Sequence, residues 1–569
     1  MFPVGWLGSA HFDSLTGLCA FALVCSLLFG GGTHGGFLAD TIVQAAAIPV
    51  LLLVIWRSLD APFDWKKRLP WGFCLALLAL PALQLLPLPA WLWTLLPARQ
   101  PEADAFTLLG RPLPWMPASV SPQATWVAML SLLPPVAIGL ATSLLTAYQR
   151  RMLSLLIIAF GILSVLTGLL QVAQGQSSPL RFFAFTNTTE AVGFFANRNH
   201  FAALLYTVTV FAAAWAVDAT SPAVQPAPLQ QPAFDPKRLI AMIAGFTIVV
   251  ILVGAQAMAR SRAGLGLTIL ALFAALALAL SDKRNTAGLT PAKLMAGAVV
   301  FAGLFATQFA LYRIMQRFAS DPLADARFPI ARNTFDAAMA HMPFGSGLGT
   351  FVQVYGLYET PGDAMVNAYA NHAHNDVLEF WLETGMFGLA AMVLFVGWLA
   401  MRSFDVWRRE RPGLGKIDQL LMRAATVVAG LLAAHSFFDY PLRTGAMMAV
   451  MAFSCALLVE PAPAPQHEAV QRAPAANRKD RRPSPRWQPA RAPLVAGAMA
   501  EPAAQVRPAG SEPLSAASAN PPKPAAAAAA GELWGQDIEW PAEWRASPKS
   551  QHAGADSEVP LGPAKPPGR

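Results

Sequence analysis

Charge is what this sequence has least of: Asp, Glu, Lys and Arg together make up 13% of its 569 residues, about half the ~25% of an ordinary soluble domain. With 55% hydrophobic residues and a mean hydropathy of +0.43, a soluble globular enzyme is excluded. Cysteine is also scarce, at four residues. Cys19, Cys25, Cys74 and Cys455 all lie inside apolar runs, with no C-x-x-C pair and no histidine at metal-ligand spacing, so they read as small core hydrophobes. Also absent are a G-x-x-x-x-G-K-[ST] phosphate loop and a D-x-D pair that would hold a metal with a nucleotide sugar. The reading therefore carries no metal and no cofactor. No nucleic-acid motif accompanies the net charge of +8, which is better explained by cytoplasmic loops.

What is present is apolar runs of about 17 to 25 residues, the length that crosses a hydrocarbon core as a helix. They lie near 14–32, 37–56, 69–87, 124–146, 152–173, 200–217, 238–257, 263–281, 293–312, 386–401, 420–438 and 443–459. The fold class expected is an all-α polytopic membrane protein of about 12 transmembrane helices, membrane-embedded over residues 1–460. The first run has no Lys or Arg before it and no small-residue cleavage site after it, and reads as a retained helix rather than a signal peptide. Alternating the connections puts every lysine before the tail on one side, together with Arg57, Arg150, Arg151, Arg402, Arg408 and Arg409. By the positive-inside rule that side is cytoplasmic, as are both termini of a multi-pass inner-membrane protein. The other side, periplasmic by this assignment, carries arginine and no lysine, and two stretches there are too long for turns: 174–199 and a large loop at about 312–385.

From Pro461 to Arg569 the composition changes, with 20 of the 48 prolines in these last residues. A Pro/Ala-rich tail of this kind cannot bury enough surface to offset its ordering entropy, and is expected to be disordered in the cytoplasm. Within it Gly531–Trp544, GELWGQDIEWPAEW, is either a docking peptide for a cytoplasmic partner or a less polar patch.

Arginine without lysine on one face suits a polyanion, because a planar guanidinium grips phosphate oxygens through two parallel hydrogen bonds; pairing with local acids is the alternative. Arg260 and Arg262 stand between two apolar runs, at or near membrane depth, where an unpaired charge is costly. Arg198, with Asn197, Asn199 and His200, opens another helix, whose free N–H groups favour an anion. Arg327 and Arg332 lie in the large loop, Arg332 one turn from Asp336 and able to pair with it.

The strongest local signal is NAYANHAHNDVLEFWLETGMFG, residues 367–388. Asp376 and Glu379 have the spacing of a capping box and Gly385 that of a stop, which makes a short helix before the tenth span. His374, just ahead of that helix's positive end, is either an available base or a loop hydrogen-bonding residue; His372 stands two residues earlier. The glycines Gly345, Gly347 and Gly349 read as a tight turn. HSFFDYPLR brings His435, Asp439 and Arg443 between the last two spans, Asp439 and Arg443 forming a candidate structural pair. A reaction outside the cytoplasm has no ATP, so its substrate must carry its own leaving group, as a lipid diphosphate does. Arginines would stabilise the departing diphosphate and histidine would take the acceptor's proton.

In order along the chain, GFFANRNHFAALL, SRAG at Ser261–Gly264, DAR at Asp325–Arg327, PFGSGLGTF, HNDVLEFWLETGMFG and HSFFDYPLR resemble the O-antigen ligase and polymerase family of bacterial inner-membrane enzymes. The resemblance spans about residues 190–445. It implies a GT-C-like fold with an extracytoplasmic site roofed by the large loop, and a metal-independent, inverting glycosyltransferase acting on undecaprenyl-diphosphate-linked glycans. Carried over, His374 of the HN pair with Asn375 is the catalytic histidine, Arg262 a diphosphate ligand and Arg198 a second, with Arg327 and His372 further candidates. The extra Arg260 and the doubled histidine leave the choice within each pair open, and Asp439 and Arg443 support the site. The acceptor implied is lipid A core, for a ligase, or a growing polysaccharide, for an O-antigen or exopolysaccharide polymerase. A protein O-oligosaccharyltransferase and a flippase or transporter of lipid-linked sugars are the alternatives.

Overall fold

The computed structural model describes residues 13–35, 37–59, 65–220, 236–281, 297, 322–362, 364, 369–411 and 413–463. The ninth apolar run, the Lys283–Lys293 connection and the tail beyond Pro463, with its Gly531–Trp544 island, lie outside them. The described chain is mostly helical: α1 Ser14–Phe29, α2 Leu38–Leu59, α3 Trp65–Gln84, α4 Ala90–Trp93, α5 Gln100–Leu108, α6 Pro122–Ser131, α7 Leu133–Leu144, α8 Ala147–Gln174, α9 Arg198–Thr220, α10 Pro236–Ala259 and α11 Arg262–Leu280. Then follow α12 Pro322–Ala340, α13 Phe351–Tyr355, α14 Asp376–Arg408, α15 Lys416–His435, a 3₁₀ turn at Pro441–Arg443 and α16 Gly445–Leu457. The sheet among these residues is one antiparallel ladder, β1 Pro87–Leu88 on β2 Met116–Pro117.

Each described apolar run is helical, because a helix satisfies its own backbone polar groups where water cannot. Among the described residues seven helices are long and apolar enough to cross a membrane: α2, α6 with α7, α8, most of α9, α11, α14 and α15. Four shorter apolar ones, α1, Pro70–Gln84 in α3, Ile243–Ala259 in α10 and α16, stand at further expected positions. Termini are chosen by local chemistry: Thr146 and Gln149 form a reciprocal capping box on α8, and the Ser261 hydroxyl accepts from Gly264 N at 3.0 Å to start α11.

Helix α9 is the hub, with Phe201, Ala202, Tyr206, Val210, Phe211 and Val217 buried, and it packs on α10, α11 and α15. Small residues set those distances. A Cβ on Gly161 of α8 would come within 2.4 Å of Val208, and one on Gly264 of α11 within 2.4 Å of Ala202, the close backbone approach that replaces hydrophobic drive between helices in lipid.

The two ends of the bundle differ in charge chemistry. At one, Arg150 is buried and donates to Thr142 O (2.9 Å), Ser143 O (2.9 Å) and Val459 O (2.7 Å), tying the carbonyl end of α7 to the chain just past α16. Beside it Arg151 grips Asp418 with two hydrogen bonds of 2.6 Å. The opposite end gathers the described parts of the connections at 30–35, 85–121, 175–197, 260–261, 322–362, 369–375 and 436–444, which hydrogen-bond to one another through Val120 N and Ser346 O, Ala196 N and Gly31 O, and Asp376 N and Ser436 O. The sequence singles out two of these as long; 85–121 is a third folded stretch. Trp93 is buried there, donates from Nε1 to Pro114 O at 2.8 Å, and carries the Arg99 guanidinium over its ring at 5.5 Å. A segment tied by one indole and a two-residue ladder has no apolar period to announce it. The large loop has a small core of its own, built from Ile330, Ala337, Phe351, Val354 and Leu382 with Trp381 against it.

Candidate active site

The site is built around the start of α14. Asn375, not Asp376, is its cap: the Asn375 Oδ1 accepts from Val377 N at 3.0 Å and Leu378 N at 3.1 Å. Asp376 and Glu379 make no capping box, since both carboxylates are drawn to other partners below. The stop at Gly385 is present as a break within α14, at φ 60°, ψ −147°, a region open almost only to glycine. It leaves the carbonyls of Leu382 and Glu383 without helical donors. The glycine turn supplies them, Ser346 N donating to Leu382 O and Gly347 N to Glu383 O, both at 2.9 Å, while Gln84 Nε2 reaches Glu383 O at 2.8 Å. Gly345, Gly347 and Gly349 take φ of 78°, 115° and 83°, as a tight turn requires.

A Cβ at Gly385 would stand 2.2 Å from Pro343 O, whereas one at Gly397, later in α14, meets nothing within 4 Å. Gly385→Ala is therefore expected to destabilise the protein by about 1–3 kcal/mol, seen as a lower unfolding temperature in detergent. Gly397→Ala should be neutral or slightly stabilising, and equal melting of the two variants would contradict the strained break.

His374 precedes the cap with φ 51°, a left-handed conformation that non-glycine residues seldom adopt. Its Nδ1 lies 3.2 Å from Asp439 Oδ1. An ionised carboxylate only accepts, so Nδ1 carries a proton, and in the neutral ring the lone pair is on Nε2. Asp439 is fully buried; Oδ1 also accepts from Tyr440 N at 3.0 Å, Oδ2 accepts from Asn199 Nδ2, and Arg327 Nη2 stands 3.8 Å from Oδ2. Burial alone would raise the Asp439 pKa, but the His374 hydrogen bond and the surrounding positive charge hold it well below the usual carboxylate range.

His372 is engaged differently. Its Nδ1 lies 2.7 Å from Glu379 Oε1 and its Nε2 3.1 Å from the carbonyl of Thr33. Both partners are acceptors, so both nitrogens must donate and the ring is an imidazolium. Burial opposes that charge, yet Glu379, through charge and hydrogen bond, outweighs it and raises the His372 pKa. Tyr440 packs against both histidines, with centroids 4.2 Å from His372 and 5.0 Å from His374.

Asp439 and Arg443 do not pair. Arg443 turns instead to α14, with Nη1 2.7 Å from Glu383 Oε2 and 3.6 Å from Glu379 Oε1, and Nε 3.5 Å from Asp376 Oδ1. Positions 376, 379 and 383 form one helical stripe, and three carboxylates on it attract the nearby guanidinium more strongly than one already committed to a histidine. Ser436 Oγ donates to Asp376 Oδ2 at 2.8 Å and closes this cluster.

The remaining arginines spread along the same end. Arg198 is ion-paired to buried Glu190 (Nη1 to Oε1, 2.8 Å), and its backbone N donates to Asn187 Oδ1 at 2.9 Å. Arg260, at φ 50°, and Arg262 flank the cap between α10 and α11, a turn joined to the 175–197 connection by Ala191 N donating to Met258 O at 3.3 Å. Arg332 and Asp336 are exposed on α12 and form no ion pair among the described residues. The roles of Tyr440, Glu379, Glu383 and Gln84 escape a reading of the sequence, although the acid stripe on an otherwise apolar helix is a signal for two of them.

Residues 247–393 match the O-antigen ligase family. The O-antigen ligase match covers Arg260, Arg262, Arg327, His372, His374 and Glu379. It stops short of Asp439 and Arg443 and begins after Arg198, so the fold brings residues from beyond both its ends to its histidines. No curated protein matches the chain.

Proposed function

We propose that this chain is an integral inner-membrane glycosyltransferase, GT-C-like in fold, that moves a glycan from undecaprenyl diphosphate to a periplasmic acceptor without a metal. The observation that carries the reading is the His374–Asp439 pair, a histidine inside the O-antigen ligase stretch oriented by a buried carboxylate from beyond its end. His374 Nε2 takes the proton from an acceptor hydroxyl; the freed oxygen bonds to the anomeric carbon on the face opposite the leaving group. The bond from that carbon to the diphosphate oxygen breaks, and its electron pair departs with the lipid diphosphate. Arg262, Arg260 and Arg327 neutralise the departing charge, and Arg198, sharing its charge with Glu190, borders it. Imidazolium His372 has no lone pair to act as base, which leaves that role to His374. Lipid A core or a growing polysaccharide is the acceptor on this reading, with both termini cytoplasmic.

The test is transfer by purified protein in nanodiscs with chelator, a lipid-diphosphate oligosaccharide as donor, and lipid A core, polysaccharide and a serine/threonine peptide offered in turn. Product lost in His374→Ala supports the reading; donor movement across vesicles without product with any acceptor overturns it. Arg262→Lys is expected to fail almost as badly as Arg262→Ala, because an ammonium cannot supply the two-pronged contact. Near-normal turnover of the lysine variant would remove Arg262 from the diphosphate site.

A further inference from the structure

Two strained or ionic features beside His374 have no role in the chemistry above: its left-handed backbone and the pair of half-buried His372 with buried Glu379. Glu379 lies on the first turns of α14, yet both its oxygens reach back over the cap. Oε1 is 2.7 Å from His372 Nδ1 and Oε2 accepts from Ala373 N at 2.8 Å, so one carboxylate holds the two residues immediately before His374. On the other side of the ring His372 Nε2 donates to Thr33 O, in the α1–α2 connection, and His34 Nε2 meets the Tyr369 hydroxyl at 3.0 Å. After His374 the Asn375 cap and the bond from Asp376 N to Ser436 O, 2.8 Å, fix the chain. A non-glycine residue keeps φ near +51° only when its surroundings over-determine it. Here they do so from both sides.

We infer that Glu379 and cationic His372 form a clamp that positions His374 for proton transfer, by pinning residues 372–373 between α14 and the α1–α2 connection. This rests on the transferase reading above. His372 is then a positioning residue rather than a second base. The charged and titratable groups facing it are Glu379, Arg443, His34, His200 and Tyr440. Of these Glu379 favours its charge, while Arg443, and His34 and His200 when protonated, oppose it. With its pKa raised in the folded protein, the clamp is complete below about pH 6.5, the ordinary histidine value, and opens as pH climbs through the raised value, when one of its two donors is lost.

Glu379→Gln keeps the shape and the acceptor for Ala373 N but removes the charge. In the full-length protein it is expected to leave the KM for lipid-diphosphate oligosaccharide within about twofold. It should lower kcat by about tenfold to a hundredfold, the scale of a small misplacement of a reacting group, and move the alkaline limb of the pH profile to lower pH. Nitrogen NMR of labelled histidine, assigned by His372→Gln, should show the His372 ring doubly protonated at about pH 6, below the ordinary histidine value, in the parent, and losing that second proton at lower pH in Glu379→Gln. Unchanged kcat and alkaline limb in a folded Glu379→Gln, with His374→Ala inactive, would overturn the clamp. Should Glu379→Gln not fold, His372→Gln carries the kinetic comparison, and wild-type kcat there would overturn it equally. If instead the parent transfers nothing, the transferase reading falls and the clamp is judged on the ring's protonation alone, a neutral His372 in the parent rejecting it.

Discussion

His374→Ala is expected to cut glycan transfer by about 10²–10⁴, the range for loss of a positioned general base, with little change in unfolding temperature. The ring is partly exposed and its hydrogen-bond partner among the described residues is Asp439, 3.2 Å away, with Tyr440 packed on one edge, so its removal leaves no gap in the packed core. Asp439→Asn should fall nearly as far by another route. An amide can offer its nitrogen to Nδ1 and so favour the tautomer with the proton on Nε2, where a base needs a lone pair. Asp439 is also the acceptor for Asn199 and Tyr440 N, and a lower melting temperature for Asp439→Asn would accompany the lost rate. Rates measured with a lipid-diphosphate donor and checked against thermal stability decide the matter. Turnover unaltered in His374→Ala would end the base assignment.

The second large effect concerns stability. Arg443→Met would leave Asp376, Glu379 and Glu383 buried together with their shared cation gone, and breaking a buried ion pair from one side costs about 3–5 kcal/mol. That is a large part of the stability of an ordinary protein, so folded protein recovered from the membrane should drop sharply. Arg443→Lys keeps the charge but offers one ammonium where the guanidinium spans three carboxylates; it should fall between the parent and the methionine variant. Size-exclusion profiles and unfolding temperatures of the three proteins make the comparison. A methionine variant that melts with the parent would show that the cluster adds nothing.

The helices of this protein are legible in its sequence because a chain in lipid has so few ways to satisfy its backbone, and long apolar runs announce the one it uses. The break at Gly385, the glycine turn and His374 are legible for a similar local reason: glycine spacing and a histidine ahead of a helix are features of neighbouring residues. Pairings are another matter. Nothing near Arg443 in the sequence says that it prefers three acids on α14 to Asp439 four residues away, or that Arg198 finds Glu190. Such choices depend on which helix ends the bundle brings together. Asn375 capping in place of Asp376 is the smallest instance, a shift of one residue that frees Asp376 for Ser436 and Arg443.

Asp439 and Arg443 belong to the connection between the last two helices, and Asp439 follows His374 by 65 residues. The order of synthesis therefore matters. As the chain emerges, the arginines of the α10–α11 turn and then both histidines are made first, while Asp376, Glu379 and Glu383 wait without their cation. Only when the connection after α15 has been made do the carboxylate partner of His374 and the guanidinium partner of the acid stripe fall into place together. On the proposed reading, a chain that ends before this hairpin holds the helices and the arginines but lacks the carboxylate that orients His374, so the ability to react arrives with the final hairpin and not before it.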